Sequence, residues 1–363
     1  MKKTTIIGIF AILLIIGGTL YLFSKQIIVN NLVSTEGVST KEKPLIKIGV
    51  VTDLSSSAAS YWGESTRVGA EIAKKELQKI GYNIDVIFED YQLDATKAVT
   101  SAQRLVNIDG VDALYSDFAP AVLSISPIVK NKDILYVYEA AVTSPLKNNP
   151  NIFKSYLDYQ VGCKEIAQKF KDQGIAKIGM IKANLEFGEL CLAGLKDVYG
   201  DNVFSESFNL GETDFKTQVL KLKNTGVGAI TNASFEEDTL NTLKAMKELN
   251  FKVPFGTVAD TVTSNVISKY SDMLKGAWTF GFMAVDKDFS AKVLAEAGKK
   301  LASDYGAAIA YTHILQMVKA IDKCSKEISC VDGEMSKSPE DKTIGFKEFN
   351  NRVADLSMVL KQY

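Results

Sequence analysis

Apolar and polar positions along this chain switch repeatedly between two periods, and the switching predicts the class of fold. Ile46, Ile48, Val50 and Val51 form a short apolar run, the pattern of a strand buried on both faces of a parallel sheet. A loop of small residues follows from Ser55 to Ser60 and ends in Tyr61-Trp62-Gly63. Gly69, Ile72, Ala73, Leu77 and Ile80 then recur at helical spacing and give that segment one face to bury. The same alternation continues, with strands expected at 46–51, 84–89, 112–116, 134–138, 177–182, 202–208, 227–232, 253–258 and 276–282. Helices are expected between them at 64–80, 95–107, 120–130, 160–173, 188–199, 214–224, 236–250 and 263–270. Two longer helices follow near 288–302 and 304–323. Strands alternating with crossover helices indicate α/β architecture with parallel sheets. The first four strands make one doubly wound unit and those from 177 to about 280 a second. The tail from Thr343 reads as a strand, an Asn-Asn turn and a further strand.

The first residues add a membrane question. Lys2-Lys3 precede an apolar stretch, Thr4 to Phe23, of about the 20 residues needed to cross a bilayer. A signal peptide usually has a shorter apolar core and ends in small residues, whereas Leu20-Tyr21-Leu22-Phe23 are bulky. We therefore expect an uncleaved anchor with its lysines inside, a cleaved signal peptide being the alternative. Residues 25–44 show no sustained period and read as a tether. Either way the body lies outside the cytoplasm, where four cysteines favour disulfides. Cys324 and Cys330 lie six apart and would close a small loop, while Cys163 and Cys191 fall in successive helices; free buried thiols are the alternative for each pair.

At 363 residues the chain is long enough for two lobes. The formal net charge is −1, with +3 carried by residues 1–44 and −4 by the rest, so no nucleic-acid partner is expected. His313 is the only histidine, sits in an apolar helix and reads as structural. That excludes multi-histidine metal sites and disfavours a Ser-His-Asp triad. No G-x-S-x-G elbow, phosphate-binding P-loop or dinucleotide fingerprint is present. No metal, cofactor or catalytic residue is expected, and the chain reads as a binder rather than an enzyme.

Several segments resemble the type I periplasmic binding proteins, in particular the branched-chain amino-acid (Leu/Ile/Val) binding family of ABC transporters. They are LIKIGVVTDLSSSAASYWGESTRVGAEIAKKEL from Leu45, EDYQLDATKAVTSAQRLV from Glu89, and the turn Ala141-Val142-Thr143-Ser144-Pro145. KIGMIKANLEFGELCLAGL from Lys177 and ETDFKTQVLKLKNTGVGAI from Glu212 continue the series in the same order. The resemblance implies two doubly wound α/β lobes joined by a three-crossing hinge, with the ligand in the cleft between them. By spacing, the crossings fall near 156–160, 280–285 and 342–347. That divides the chain into 1–24 (signal anchor or signal peptide), 25–44 (tether), 45–157 plus 284–343 (first lobe) and 158–283 plus 344–363 (second lobe).

The resemblance also implies site residues. Trp62, Phe187 and Phe235 match aromatic walls, and the Ala141 carbonyl and Thr143 hydroxyl match holders of the ligand amino group. Asp260 is the second-lobe acid, slightly displaced. The family's hydroxyl-rich carboxylate loop is replaced here by Ser116-Asp117-Phe118-Ala119-Pro120, in which Ala119 offers only its backbone N–H, Pro120 none, and Asp117 repels an anion. With Glu139 nearby, this mixture suits a cationic or amide-like head on an apolar body; retention of the carboxylate by backbone N–H groups and water is the alternative. The implied function is capture of an amino acid or similar small amphipathic solute for ABC permease subunits. A membrane-tethered ligand sensor using the same cleft is the alternative, and an enzyme on a doubly wound fold a remote one.

Overall fold

The computed structural model describes residues 43–363 apart from Ala58 and Asn131. The proposed anchor at Thr4–Phe23, and all but the last two residues of the tether, lie outside the described residues. Among the described residues no helix is long and apolar enough to cross a membrane.

Two sheets organise the chain. The first contains β1 (Ile46–Thr52), β2 (Ile84–Asp90), β3 (Ala113–Asp117), β4 (Leu135–Glu139) and β5 (Ile152–Lys154). The second contains β6 (Ile178–Ala183), β7 (Val203–Phe208), β8 (Ala229–Ala233), β9 (Phe255–Val258) and β10 (Trp278–Phe282). The C-terminal strands β11 (Phe346–Asn350), β12 (Val353–Leu356) and β13 (Met358–Gln362) complete both. The orders are β11-β12-β5-β4-β3-β1-β2 and β13-β10-β9-β8-β6-β7. Pairing is parallel except for β11 with β12 and β10 with β13. β1 and β6 each lie between strands that wind in opposite directions, so the loops at their carboxyl ends open onto a crevice where such sheets take ligands.

The apolar runs do what their patterning predicts: every residue of β3 and β4 is buried. Helix Ser60–Lys79 packs one face on helix Asp304–Lys323, and Gly69 permits the approach, since a Cβ there would lie 1.9 Å from the Ala307 carbonyl oxygen. Both cysteine pairs are disulfides. Cys163–Cys191 ties helix Tyr159–Asp172 to helix Glu186–Tyr199, and Cys324–Cys330 joins the end of the long helix to helix Ile328–Ser336.

The chain passes between the sheets three times: at 155–158, at 283–286 and at Ser357. The third crossing corrects the expectation of 342–347 and moves residues 344–356 from the second lobe to the first. Phe346 and Phe349 are the physical reason: both are buried, with Phe349 5.0 Å from Phe153 of β5 and Phe346 6.1 Å from His313. The hairpin turns at Asn351-Arg352, both at positive φ (48° and 67°), the geometry of a two-residue hairpin loop. The helix expected over 288–302 ends earlier, at Ala297, where Gly298 adopts a left-handed cap.

Candidate functional site

At the carboxyl ends of the two sheets the loops enclose a cavity of about 40 Å³. The first lobe contributes Tyr61, Phe118, Ala119, Glu139 and Ala141 to its wall, and the first crossing contributes Tyr156. The second lobe contributes Tyr159, Phe187, Ser234, Phe235 and Asp260.

Local backbone geometry aims these side chains. Phe118 follows β3 at φ +56°, a costly conformation for a bulky residue and one concentrated at binding sites. Its N–H donates to the Glu139 carbonyl at 3.0 Å, which pins the turn. The ring is thereby sent across the cleft, to 6.0 Å from Phe235, edge to face. Phe235 lies 5.8 Å from Phe187, which lies 5.7 Å from Tyr159. Tyr156 stacks on Tyr159 at 6.1 Å. Aromatic edges and faces from both lobes thus form one continuous wall.

Two carboxylates interrupt the apolar surface, one from each lobe. Glu139 Oε2 accepts from the Tyr115 hydroxyl at 2.6 Å and from Trp62 Nε1 at 3.3 Å, while its Oε1 has no side-chain partner among the described residues. Asp260 Oδ2 accepts from the Tyr156 hydroxyl at 2.6 Å, and its Oδ1 has no side-chain partner among them either. Burial pushes both carboxyls above their ordinary pKa; hydrogen bonds from Tyr115 and Trp62 act against it at Glu139, and those from Tyr156 and the Asp260 and Thr261 backbone act against it at Asp260. Among the described residues no lysine or arginine lines the cavity.

Of the residues expected from sequence, Ala119, Ala141, Phe187, Phe235 and Asp260 line this cavity. Trp62 does not; it stands behind the wall, 2% exposed, holding Glu139 in place. Asp117 is placed differently from the expectation. It points into the first-lobe core, where the Thr52 and Thr66 hydroxyls donate to it, because the turn at Phe118 directs the following side chain to the cleft instead. Burial raises the Asp117 carboxyl to about 7.

Thr143 is already engaged across the lobes. Its N–H and hydroxyl donate to Glu186 Oε1 at 2.7 and 2.8 Å, and the Ser144 N–H to the same oxygen at 3.0 Å. The Ser144 hydroxyl bonds the other oxygen, Oε2. Sequence reading missed this clasp, and also Tyr61, Tyr156 and Tyr159. The signal for the last two was present as a Tyr-x-x-Tyr spacing on the first crossing. His313 is structural: it is fully buried, bonded to Ser155 and, at 2.7 Å, to Gln316. Among the described residues no group of three acidic, cysteine or histidine side chains could hold a metal ion.

Comparison with known proteins agrees with this architecture. The Leu/Ile/Val-binding protein of Escherichia coli K12 is 26% identical over 247 residues, 63% of this chain and 66% of its own length, so the match spans just under two thirds of that relative. The leucine-binding protein LivK of Thermotoga maritima superposes with a TM-score of 0.77 at 17% identity, over 88% of this chain and 95% of its own. A solute-binding protein of an R. palustris ABC transporter, solved in complex with 4-hydroxybenzoate, gives 0.74 at 19% identity over 88% and 93%. These relatives are solute-binding proteins, not enzymes. A family model described as periplasmic binding protein matches residues 45–338, and the chain belongs to that family.

Proposed function

We propose that this protein is the extracytoplasmic solute receptor of an ABC importer, closing two lobes over an amino acid or similar small amphipathic solute. The observation that carries the reading is the aromatic cavity at the carboxyl ends of both sheets, built from both lobes and from the first crossing. Apolar walls with a few convergent polar groups are the general character of small-molecule sites. The relatives' names support the range of solutes: one binds Leu, Ile and Val, and another was solved with an aromatic acid. The stretch Thr4–Phe23 would hold the receptor at the outer face of the membrane, delivering solute to permease subunits.

Closure requires that the solute bind the closed form more tightly than the open one. The test is thermal unfolding of the protein against a broad panel of amino acids, amides, amines and aromatic acids, followed by small-angle scattering with each hit. A solute at a hundredfold excess over its Kd adds about 2.7 kcal/mol to stability, and the radius of gyration should fall. A panel without any stabilising compound, or hits that leave the scattering unchanged, would count against the reading.

A further inference from the structure

We infer that the solute is an organic cation without a carboxylate: an ammonium group carried on a flat or branched apolar body. The inference rests on the receptor reading above and names the ligand class of the same cavity.

Three observations carry it. Glu139 and Asp260 enter the cavity wall from opposite lobes, and each keeps one buried oxygen, Oε1 and Oδ1 respectively, without a side-chain partner among the described residues. The tyrosine that bonds each of them takes the other oxygen, so tyrosines orient the carboxylates and leave the free oxygens as acceptors. An ammonium group has three donors and a full charge, the complement of a buried carboxylate oxygen. Phe118, Phe187, Phe235, Tyr61 and Tyr159 line the same cavity. Aromatic faces within about 6 Å attract a desolvated cation and offer nothing to an anion.

The third observation concerns what a carboxylate would meet. Among the described residues no lysine or arginine lines the cavity. Pro120 removes one N–H from the start of helix Ala119–Val129. The donors of Thr143 and Ser144 are spent on Glu186. A ligand carboxylate would therefore enter beside two further carboxyl groups with no cation to balance it. Burial already raises the pKa of both carboxyls, and a bound cation would act in the opposite direction by favouring their charged form.

The Phe118 and Phe235 rings meet edge to face across the cavity, their centroids 6.0 Å apart, and no further ring fits between them. Entry thus separates these rings, and they close again around the guest.

Calorimetry with the full chain tests this on two matched series. One comprises phenethylamine, phenylalanine and 3-phenylpropanoate; the other comprises isoamylamine, leucine and 3-methylbutanoate. The expected result is binding of at least one amine at least tenfold tighter than its zwitterion, with no binding of either acid. Glu139→Gln and Asp260→Asn should each weaken that amine at least tenfold, and circular dichroism of both variants checks that they fold. Equal or tighter binding of the zwitterions or acids would overturn the cation inference while leaving the receptor reading intact. Amine binding unchanged in both folded variants would overturn the assignment to these carboxylates. Binding of none of the six compounds would also overturn the inference, and the receptor reading would then stand or fall on the broad panel.

Discussion

Replacing Glu186 by Gln isolates the polar clasp between the lobes. The carboxylate sits at the start of helix Glu186–Tyr199 in the second lobe, and its four donors all belong to Thr143 and Ser144 of the first. Glutamine keeps one acceptor oxygen but loses the charge, and its amide nitrogen cannot accept from the Ser144 hydroxyl. Buried hydrogen bonds to a charged group contribute about 1.5–3 kcal/mol against roughly 0.5–1.5 for neutral ones. At a solvent-facing rim most of that difference is screened, leaving about 1 kcal/mol for the whole clasp. One kilocalorie corresponds to about a fivefold change in the ratio of closed to open molecules. Because no bond of the clasp lies within a lobe, E186Q should enlarge the mean radius of gyration without solute while hardly moving the unfolding temperature. Acid should mimic the substitution. Burial alone would push the Glu186 carboxyl up, but hydrogen bonds from Ser144 and Thr143 outweigh it and hold the pKa below the ordinary 4.5. The clasp is therefore fully formed above about pH 4.5 and is lost as pH falls through the depressed value. Wild-type scattering should expand in that window and E186Q scattering should not. Identical profiles for the two proteins at neutral pH and in acid would refute the clasp.

Three further perturbations follow from the packing. Gly69→Ala drives a methyl to 1.9 Å from the Ala307 carbonyl oxygen and should cost at least about 3 kcal/mol in denaturant unfolding; a loss under 1 kcal/mol would mean that the two helices can move apart cheaply. Opening Cys163–Cys191, which spans 28 residues, should cost about 3–4 kcal/mol, against about 2 for Cys324–Cys330 at a separation of 6; the reverse order in paired Ser variants would contradict the loop-closure argument. Burial holds the His313 ring well below its ordinary value, at about 4 instead of 6.5, so the unfolded chain takes up the proton first and stability should fall as pH drops from 6.5 toward 4. His313→Gln should flatten that slope in urea melts, and an unchanged slope would exclude His313 as its source.

The sequence reading reached those features whose cause is local. Runs such as Ile46–Val51, followed by a helical stripe, carry their own period, so the order of strands and helices through Phe282, β5 apart, could be read directly. β5 was missed because Ile152–Lys154 is too short to show a period, and helix Ile328–Ser336 because only Val331 and Met335 of its residues are buried. The tail failed for a different reason. Val353 to Gln362 reads as one strand, and only the burial of Phe346 and Phe349 against the first sheet places the break at Ser357. The site divides in the same way. Phe187, Phe235 and Asp260 were reached through the resemblance to the family, which places them in loops after strands of the second lobe. Glu186 meets Thr143 across 43 residues and Tyr156 meets Asp260 across 104, and no local pattern specifies such partners.

These cross-lobe contacts also set what a solute has to do. The Glu186 clasp and the Phe118–Phe235 contact favour closure through charge-assisted hydrogen bonds and apolar burial, and both are intrinsic to the chain. Closure also withdraws Glu139 and Asp260 from water with one oxygen each lacking a side-chain partner among the described residues, and that opposes it. The protein can limit the cost by keeping these carboxyls protonated, in line with their raised pKa values. A solute that supplies donors and positive charge removes the opposing contribution while leaving the favourable contacts in place outside it. A purely apolar solute would add burial without relieving the carboxylates. The solute's differential affinity for the closed form would then be concentrated at these two oxygens, so Glu139 and Asp260 would govern closure as well as affinity.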